Sequence, residues 1–227
     1  MRTVVEVEIW SDVVCPWCYI GLRRFDRAVT AVADDIEVRS VYRPFQLDPT
    51  SSPGTPTPVA DAYAKKFGGA QAAKEIIDQV TAVAAAEGIE FRLDRALRAN
   101  TFDAHRLLWM AEPTGHQHEL KARLLQAYFT DGLDVSDHHV LVDAAGAAGM
   151  DAGAAAEFLS GVGGIEDVRA LLRHAHADGI TAVPSYVIVG TGTAGDGSGS
   201  PGWVIPGAQE TDVFERVLRR LAARADG

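Results

Sequence analysis

The two cysteines of the chain are separated by two residues, in the tetrapeptide Cys15-Pro16-Trp17-Cys18. A Cys-x-x-Cys pair at a helix start brings two thiols within bonding distance. The first thiol then lies at the positive end of the helix, which predicts a lowered pKa for Cys15. A thiolate attacks a disulfide to give a mixed disulfide, which a second thiol can resolve. We therefore expect Cys15 to be the nucleophile and Cys18 to be the resolving, more buried thiol.

Three other roles remain open for a cysteine pair. A structural disulfide would close a ring of only four residues, which stabilises a fold weakly, and a cytosol would reduce it. A structural zinc site needs about four ligands, and no histidine pair of the chain has the spacing to complete one. Two inert buried thiols are the third alternative. A β-α-β setting favours redox chemistry, and we expect no metal site.

The pattern of apolar residues predicts that setting. Residues 4–10 alternate between apolar and charged side chains, which is typical of a half-buried strand. Helical spacing follows the cysteines, and Pro16 suits the first helical position, where its missing N–H costs nothing. Residues 36–43 alternate again and predict a second strand. Cys15 should therefore lie at the mouth of the helix that connects two strands.

The remaining chain divides into a helical block and a second strand region. Five prolines between residues 44 and 58 predict a loop, and the pattern is helical from about 58 to 178. Residues 185–189 and 203–205 predict strands, followed by a last helix. Between them, the glycine-rich residues 190–202 predict a flexible loop without a catalytic role. The helices predicted within the block cover 71–87, a segment from about residue 100, 117–129, 137–148 and 165–177.

This order of elements predicts an α/β protein with a thioredoxin fold. A large all-helical domain would be inserted between its β-α-β and β-β-α halves. The predicted thioredoxin-like domain is discontinuous and comprises residues 1–50 and 179–227. The predicted insertion domain comprises residues 51–178 and includes the helix that returns to the sheet.

Residues 10–21, Trp-Ser-Asp-Val-Val-Cys-Pro-Trp-Cys-Tyr-Ile-Gly, resemble the active-site signature of the DsbA superfamily and specifically of its FrnE-like branch. The resemblance covers essentially the whole chain and implies a thiol–disulfide oxidoreductase or isomerase. It also implies that Pro184 is a cis-proline facing the cysteines, although a trans-proline opening an edge strand is the alternative. Four further segments resemble that branch: 43–49, 100–107, 179–184 and 207–209.

Relatives in the same superfamily suggest a second activity. The 2-hydroxychromene-2-carboxylate isomerases and kappa-class glutathione transferases use glutathione and carry serine at the position of Cys15. They also tend to carry Asp-Arg where this chain has Gln209-Glu210. Both differences disfavour this activity here. The alternative is a glutathione- or thiol-dependent isomerase or transferase for a small aromatic or polyketide substrate. A non-catalytic partner-binding module is a third alternative.

Several residues are candidates for substrate contact. The backbone of Val183 and Pro184 could pair with an extended substrate. Pro16 and Trp17 adjoin the thiols, and Phe45 could complete an apolar rim with Trp17.

Two candidates come from the insertion, where His105 and Arg106 could line the site. A packing histidine and an interdomain ion pair are the alternatives for these two residues. Asn100 is more simply explained as a helix cap.

Composition limits the partners. With 31 acidic and 21 basic side chains, the formal net charge is −10, which disfavours nucleic acid and anionic membranes. No apolar run approaches the roughly 18 residues of a membrane span. Glu6 and Glu8 would interrupt a signal-peptide core, so we expect a cytoplasmic protein.

The expected partners are substrate proteins or low-molecular-weight disulfides, with a homodimer as a further expectation. Beyond the redox-active disulfide we expect no cofactor, with glutathione as a candidate co-substrate.

Overall fold

The structure is a computed structural model that describes residues 2–51, 57–189 and 203–225. Its elements alternate as predicted between a strand-containing first part, a helical middle and a strand-containing end. In chain order they are β1 (Thr3–Ser11), α1 (Pro16–Val32), β2 (Ile36–Pro44), β3 (Thr57–Pro58), α2 (Val59–Phe67), α3 (Ala70–Ala86), β4 (Leu97–Arg98), α4 (Phe102–Ala111), a 3-10 turn (Glu112–Thr114), α5 (Gln117–Phe129), α6 (His138–Ala147), α7 (Ala152–Ser160), α8 (Ile165–Ala177), β5 (Ser185–Val189), β6 (Trp203–Pro206) and α9 (Thr211–Ala225).

A four-stranded mixed sheet in the order β2-β1-β5-β6 forms the thioredoxin part. Strand β1 runs parallel to β2 and antiparallel to β5, which in turn is antiparallel to β6. The inward side chains of β1, Val5, Val7 and Ile9, are at most 3% exposed, as the alternating pattern predicts. The β-α-β and β-β-α halves therefore share one sheet, which confirms the predicted fold.

Helix α1 packs very closely against the loop that leads into β5. A Cβ atom at Gly21 would lie 2.5 Å from the hydroxyl oxygen of Tyr186 and 3.3 Å from Cγ of Pro184. The missing side chain of Gly21 thus allows the helix that carries the cysteines to approach this loop. On the same helix, the predicted apolar residues Phe25 and Ala28 are buried.

The insertion is helical as predicted, apart from one short ribbon. Strands β3 and β4 pair over two residues each, a length too short for an alternating pattern to show. Helix α7 was not predicted because its alanine- and glycine-rich sequence has no clear apolar stripe. It begins where the side chain of Asp151 accepts a hydrogen bond from the Ala154 N–H.

One continuous apolar core joins the insertion to the sheet. Gln117 of α5 accepts a hydrogen bond from the Tyr42 N–H at 2.8 Å and donates one to the Tyr42 carbonyl at 3.0 Å, which ties the insertion to β2.

The proposed domain boundaries stay a prediction. The loop predicted at 190–202 lies outside the described residues. Among the helices in the described ranges, none combines the length and apolarity needed to cross a membrane.

Candidate active site

The cysteine pair lies at the start of α1, as predicted. Cys15 is the residue that precedes the helix, with extended backbone angles, and Pro16 occupies its first turn. The Cys18 N–H donates to the Cys15 carbonyl at 3.0 Å, which closes the first turn around the pair. Both cysteines are free thiols, and each residue is 3% exposed. The two residues are equally buried, so the expectation that Cys18 is the more buried thiol stays a prediction.

A cis-proline loop faces Cys15. The Val183–Pro184 peptide bond is cis. The Cys15 Sγ lies 3.7 Å from the Val183 carbonyl oxygen, within the distance of a sulfur hydrogen bond. Pro184 is buried, Val183 is half-buried, and the Gly207 N–H donates to the Pro184 carbonyl at 2.8 Å. The turn before α9 thus holds the loop beside the nucleophile candidate.

The two thiols differ in acidity in a way that helix position alone did not predict. A hydrogen bond to Cys18, together with burial, raises the pKa of Cys15 well above its ordinary value. Burial also raises the pKa of Cys18, but the Cys15 hydrogen bond, the charge of Lys121 and a hydrogen bond from Ser11 outweigh it. The net pKa of Cys18 is lowered. The predicted lowered pKa of Cys15 is therefore wrong for the reduced pair, because the hydrogen bond to Cys18 and burial favour the protonated Cys15 thiol.

A buried carboxylate organises the loop in front of Cys15. Asp12 is fully buried, and its carboxylate accepts 2.8 Å hydrogen bonds from the Val13 and Leu47 N–H groups. The Nε2 of His105 lies 3.1 Å from Asp12 Oδ1 and 3.0 Å from the Phe45 carbonyl. Burial raises the pKa of Asp12, but His105 and the Leu47 N–H outweigh it, so that pKa is lowered.

Lys121 is a site residue that the sequence analysis missed. Its side chain extends from α5 and the residue is 1% exposed, with Nζ 5.8 Å from the centroid of the Tyr42 ring. Among the described residues, its buried Nζ has no hydrogen-bond partner. Burial lowers the pKa of Lys121 by more than Cys18, Asp12 and Cys15 raise it, so the net pKa of Lys121 is lowered. The available signal for a buried Lys121 was its position among the apolar residues of the predicted helix 117–129.

The predicted rim residues Trp17 and Phe45 differ in their surroundings. Trp17 is 42% exposed beside the pair. Phe45 is half-buried and packs with Val183 against a small apolar cluster that contains Trp10 and Ile180. The structure thus brings Phe45 and the proline loop together, while Trp17 remains open to solvent.

The insertion residues have structural partners. His105 is buried against Asp12 and is not open to solvent. The Arg106 guanidinium donates to Asp103 at 2.8 Å and to the carbonyls of Gly161 and Gly163 at 2.7 and 2.9 Å. Arg106 therefore joins α4 to the segment after α7, and the structure does not bring it to the cysteine pair. Asn100 accepts from the Phe102 N–H at 2.9 Å, but the residue at the capping position of α4 is Thr101, one residue after the predicted cap Asn100.

A cleft beside the cysteine pair lies between the thioredoxin part and the insertion. Its volume is about 610 Å³. Burial and the nearby Cys15 raise the pKa of Tyr63, in the wall of the cleft, to about 12. Val14, the residue before Cys15, lines the cleft, and its apolar wall also includes Leu47, Phe67, Leu93, Tyr128 and Phe129.

Comparisons with known proteins agree with this arrangement. A family model described as a DSBA-like thioredoxin domain matches residues 6–219. The chain is 30% identical over 219 residues to the uncharacterized protein YwbO of Bacillus subtilis (strain 168), covering 94% of this chain and 96% of YwbO.

Two solved structures are similar along nearly their whole length. A probable DsbA oxidoreductase from Streptomyces coelicolor shares 34% identity with a TM-score of 0.83, covering 96% of this chain and 90% of that one. The cytosolic disulfide reductase DsbM from Pseudomonas aeruginosa shares 16% identity with a TM-score of 0.60, over 97% of both chains, and is similar in fold. The family match over most of the chain, on a thioredoxin fold with a cysteine pair beside a cis-proline, shows that this protein belongs to the DSBA-like thioredoxin domain family.

Proposed function

We propose that this protein is a thiol–disulfide oxidoreductase in which Cys15 attacks substrate disulfides and Cys18 resolves the mixed disulfide. The observation that carries the proposal is the position of Cys15, at the start of α1 and 3.7 Å from the Val183 carbonyl. Because Cys18 instead interacts with Ser11 and Lys121, Cys15 is the thiol that faces the loop where a substrate would bind.

The hydrogen bond between the thiols supports this division of roles. When its proton moves from Cys15 to Cys18, Cys15 becomes the thiolate and attacks one sulfur of the substrate disulfide. The substrate S–S bond breaks, and one half leaves as a thiolate that takes the proton from Cys18. The Cys18 thiolate then attacks Cys15, the Cys15–Cys18 disulfide forms, and the other half leaves as a thiolate that takes a proton from solvent. The substrate gains two electrons, which a thiol or dithiol donor must return to the pair.

The cis-proline loop and the apolar rim are the proposed substrate contacts. An extended peptide can form main-chain hydrogen bonds with an exposed strand end, and the half-buried Val183 beside Pro184 offers such a position. The exposed Trp17, next to Pro16, and the half-buried Phe45 offer apolar surface near the thiols. For His105, the contacts with Asp12 and Phe45 support an indirect role, in holding the loop before Cys15.

Turnover of the two single-cysteine variants tests the proposal. Cys15→Ser should lose all thiol-dependent reduction of glutathione disulfide and of a disulfide-bonded peptide. Cys18→Ser should lose reduction by the intact pair and accumulate enzyme–substrate mixed disulfide. Trp17→Ala, which keeps both thiols, should retain reduction of the small disulfide. Full reductase and isomerase activity in Cys15→Ser would refute the assignment.

The cleft favours a second candidate, a thiol-dependent isomerase or transferase for a small aromatic or polyketide substrate. Its volume of about 610 Å³ lies in the range of small-molecule pockets. Such a reaction would need an activated thiol at Cys15 but no resolving thiol. Undiminished turnover of a small substrate by Cys18→Ser would therefore favour this function over disulfide exchange.

The remaining proposals concern the setting of the reaction. The sequence segments that resemble the FrnE-like branch support placement in it. We propose a cytoplasmic location, where substrate proteins or low-molecular-weight disulfides are the substrates. No cofactor beyond the cysteine pair is proposed, glutathione is a candidate co-substrate, and a homodimer is testable by light scattering.

A further inference from the structure

Lys121 is a buried lysine on α5, and its contacts do not explain why a charged side chain is buried there. Taking an ammonium group out of water is costly unless it is paired or hydrogen-bonded. Yet the Lys121 side chain is 1% exposed, and its Nζ has no hydrogen-bond partner among the residues that the structure describes. The nearby Tyr42 ring, at 5.8 Å, offers only a weak cation–π contact.

The carboxylate nearest to the site is already occupied. Asp12 accepts hydrogen bonds from the Val13 and Leu47 N–H groups and faces His105 at 3.1 Å. Lys121 is the smallest of the influences on the pKa of Asp12, after burial, His105 and Leu47. The structure therefore gives Lys121 no direct partner in Asp12, and its charge is left for another anion.

Cys18 is the remaining candidate, because α5, which carries Lys121, packs against α1, which carries Cys18, with the rings of Tyr19 and Phe129 6.1 Å apart. Lys121 and Ser11 line the same small cavity, of about 10 Å³, and a hydrogen bond from Ser11 contributes to the lowered pKa of Cys18. Of the anionic groups that raise the pKa of Lys121, Cys18 has the largest effect, ahead of Asp12 and Cys15. Ser11 and Lys121 therefore both favour the charged form of Cys18.

We propose that Lys121 is a positioning residue for the exchange reaction, whose buried ammonium is the counter-ion of the Cys18 thiolate. The inference rests on the proposed function. When a substrate or glutathione thiolate attacks Cys15 of the disulfide, a new S–S bond to Cys15 forms, the Cys15–Cys18 bond breaks, and Cys18 leaves with the electron pair as a thiolate. Lys121 stabilises this leaving group, and in the opposite direction it keeps Cys18 available to resolve a mixed disulfide.

The reduced pair should therefore be stabilised relative to the disulfide. Lys121→Met keeps the length of an apolar stem and removes the charge. We expect it to shift the equilibrium with glutathione about tenfold towards the enzyme disulfide, a potential about 30 mV more negative. The shift should shrink at low pH, where both thiols are protonated in either protein. The other ionisable groups around Lys121 and Cys18, constant between the two proteins, are Asp12, Cys15, Tyr42, Arg43, His105, Glu112 and Tyr186.

A matched control separates charge from packing. Gln117→Leu alters a buried polar residue one turn earlier on α5, where Gln117 bonds to Tyr42 and Leu108. The Gln117→Leu change should lower the free energy of unfolding and leave the redox potential of the cysteine pair unchanged. Lys121→Arg, which retains a positive charge, should recover part of the shift. Thiolate absorbance should show a higher pKa for Cys18 in Lys121→Met only.

The outcomes separate this inference from the proposed function. If the wild-type pair does not exchange with glutathione, both are refuted. If it exchanges and Lys121→Met has the wild-type equilibrium constant and thiolate titration, only the role of Lys121 is refuted. Should Lys121→Met not fold, lysine side-chain NMR of the wild-type protein decides. The pKa of Lys121 should be higher in the reduced than in the oxidised protein, and equal values would overturn the inference.

Discussion

At the scale of single residues, the chemistry of Cys15 depends on a carboxylate three positions before it. Asp12 is fully buried, and both of its oxygens accept main-chain hydrogen bonds, from Val13 and from Leu47. It thereby fixes the loop that enters α1 and joins it to the segment after β2. Asp12 therefore contributes to stability as well as to the position of the nucleophile.

Asp12→Asn should destabilise the protein in a pH-dependent way. An amide NH₂ group cannot accept the Leu47 or Val13 N–H, so we expect a loss of about 2–3 kcal/mol at pH 7. The folded pKa of Asp12 is lowered, so its contribution is present above the ordinary value of about 3.9 and is lost as pH falls through the folded value. Urea unfolding at pH 7 and near pH 3 measures this.

The control for Asp12 is Asp151→Asn at the exposed start of α7. Asparagine caps a helix about as well as aspartate, so this change should stay within about 0.5 kcal/mol. An Asp12→Asn protein as stable as the wild type at pH 7 would show that the carboxylate does not hold the loop.

At the scale of elements, the absence of a side chain at Gly21 allows α1 to pack closely against the cis-proline loop. The hydroxyl of Tyr186 occupies the space beside Gly21, and the Tyr186 ring is fixed between Phe25 and Phe214, with centroid distances of 5.2 and 4.7 Å. Neither side of this contact can move freely. The spacing of α1 from the loop, and hence of Cys15 from Val183, depends on this position.

Gly21→Ala should therefore destabilise the protein, although alanine is the better helix former. The close approach to Tyr186 and Pro184 should cost about 1–3 kcal/mol and reduce exchange activity. Gly146→Ala on α6 is the matched control, because its Cβ would meet only Ala152, at 3.7 Å. It should stabilise by about 0.5–1 kcal/mol. Thermal unfolding of the Gly21→Ala and Gly146→Ala variants measures the difference in their stability. Equal stabilisation of both variants would contradict the close packing at Gly21.

The elements were largely predictable from sequence, whereas the environment of the thiols was not. Alternation identified β1 and β2, and helical spacing identified α1 and α5. The acidity of Cys18 depends on Lys121, which only the folded chain brings to the active site from the insertion. The sequence predicted that Arg106 lies on a helix near the site. It did not predict that the Arg106 side chain extends towards Gly161 and Gly163.

At the scale of the whole molecule, one buried arginine connects both parts of the chain. Arg24 of α1 donates to Glu87, at the end of α3, at 2.6 Å and to the Ala208 carbonyl at 2.9 Å. It also forms a 2.9 Å ion pair with Glu210. The Arg24 and Glu87 side chains are only 10% and 8% exposed. This pair therefore links the cysteine helix, the insertion and the turn before α9.

Glu87→Gln should lower the unfolding free energy by about 1–3 kcal/mol, because it leaves the buried Arg24 charge without its main carboxylate. The exposed pair Lys74–Asp78 on α3 is the control. Lys74→Gln should change stability by less than about 0.5 kcal/mol. Denaturant titration compares them, and equal small effects would show that the Arg24–Glu87 pair does not hold the two parts together.

The most direct test of the central claim is to trap the mixed disulfide. Reduced Cys18→Ser and Cys15→Ser proteins are mixed with glutathione disulfide, and the adducts are located by mass spectrometry of their peptides. Attack by Cys15 predicts one glutathione on Cys15 of the Cys18→Ser protein and slow or no adduct on Cys18 of the Cys15→Ser protein. Faster modification of Cys18, or no adduct on either thiol, would contradict the proposed exchange mechanism.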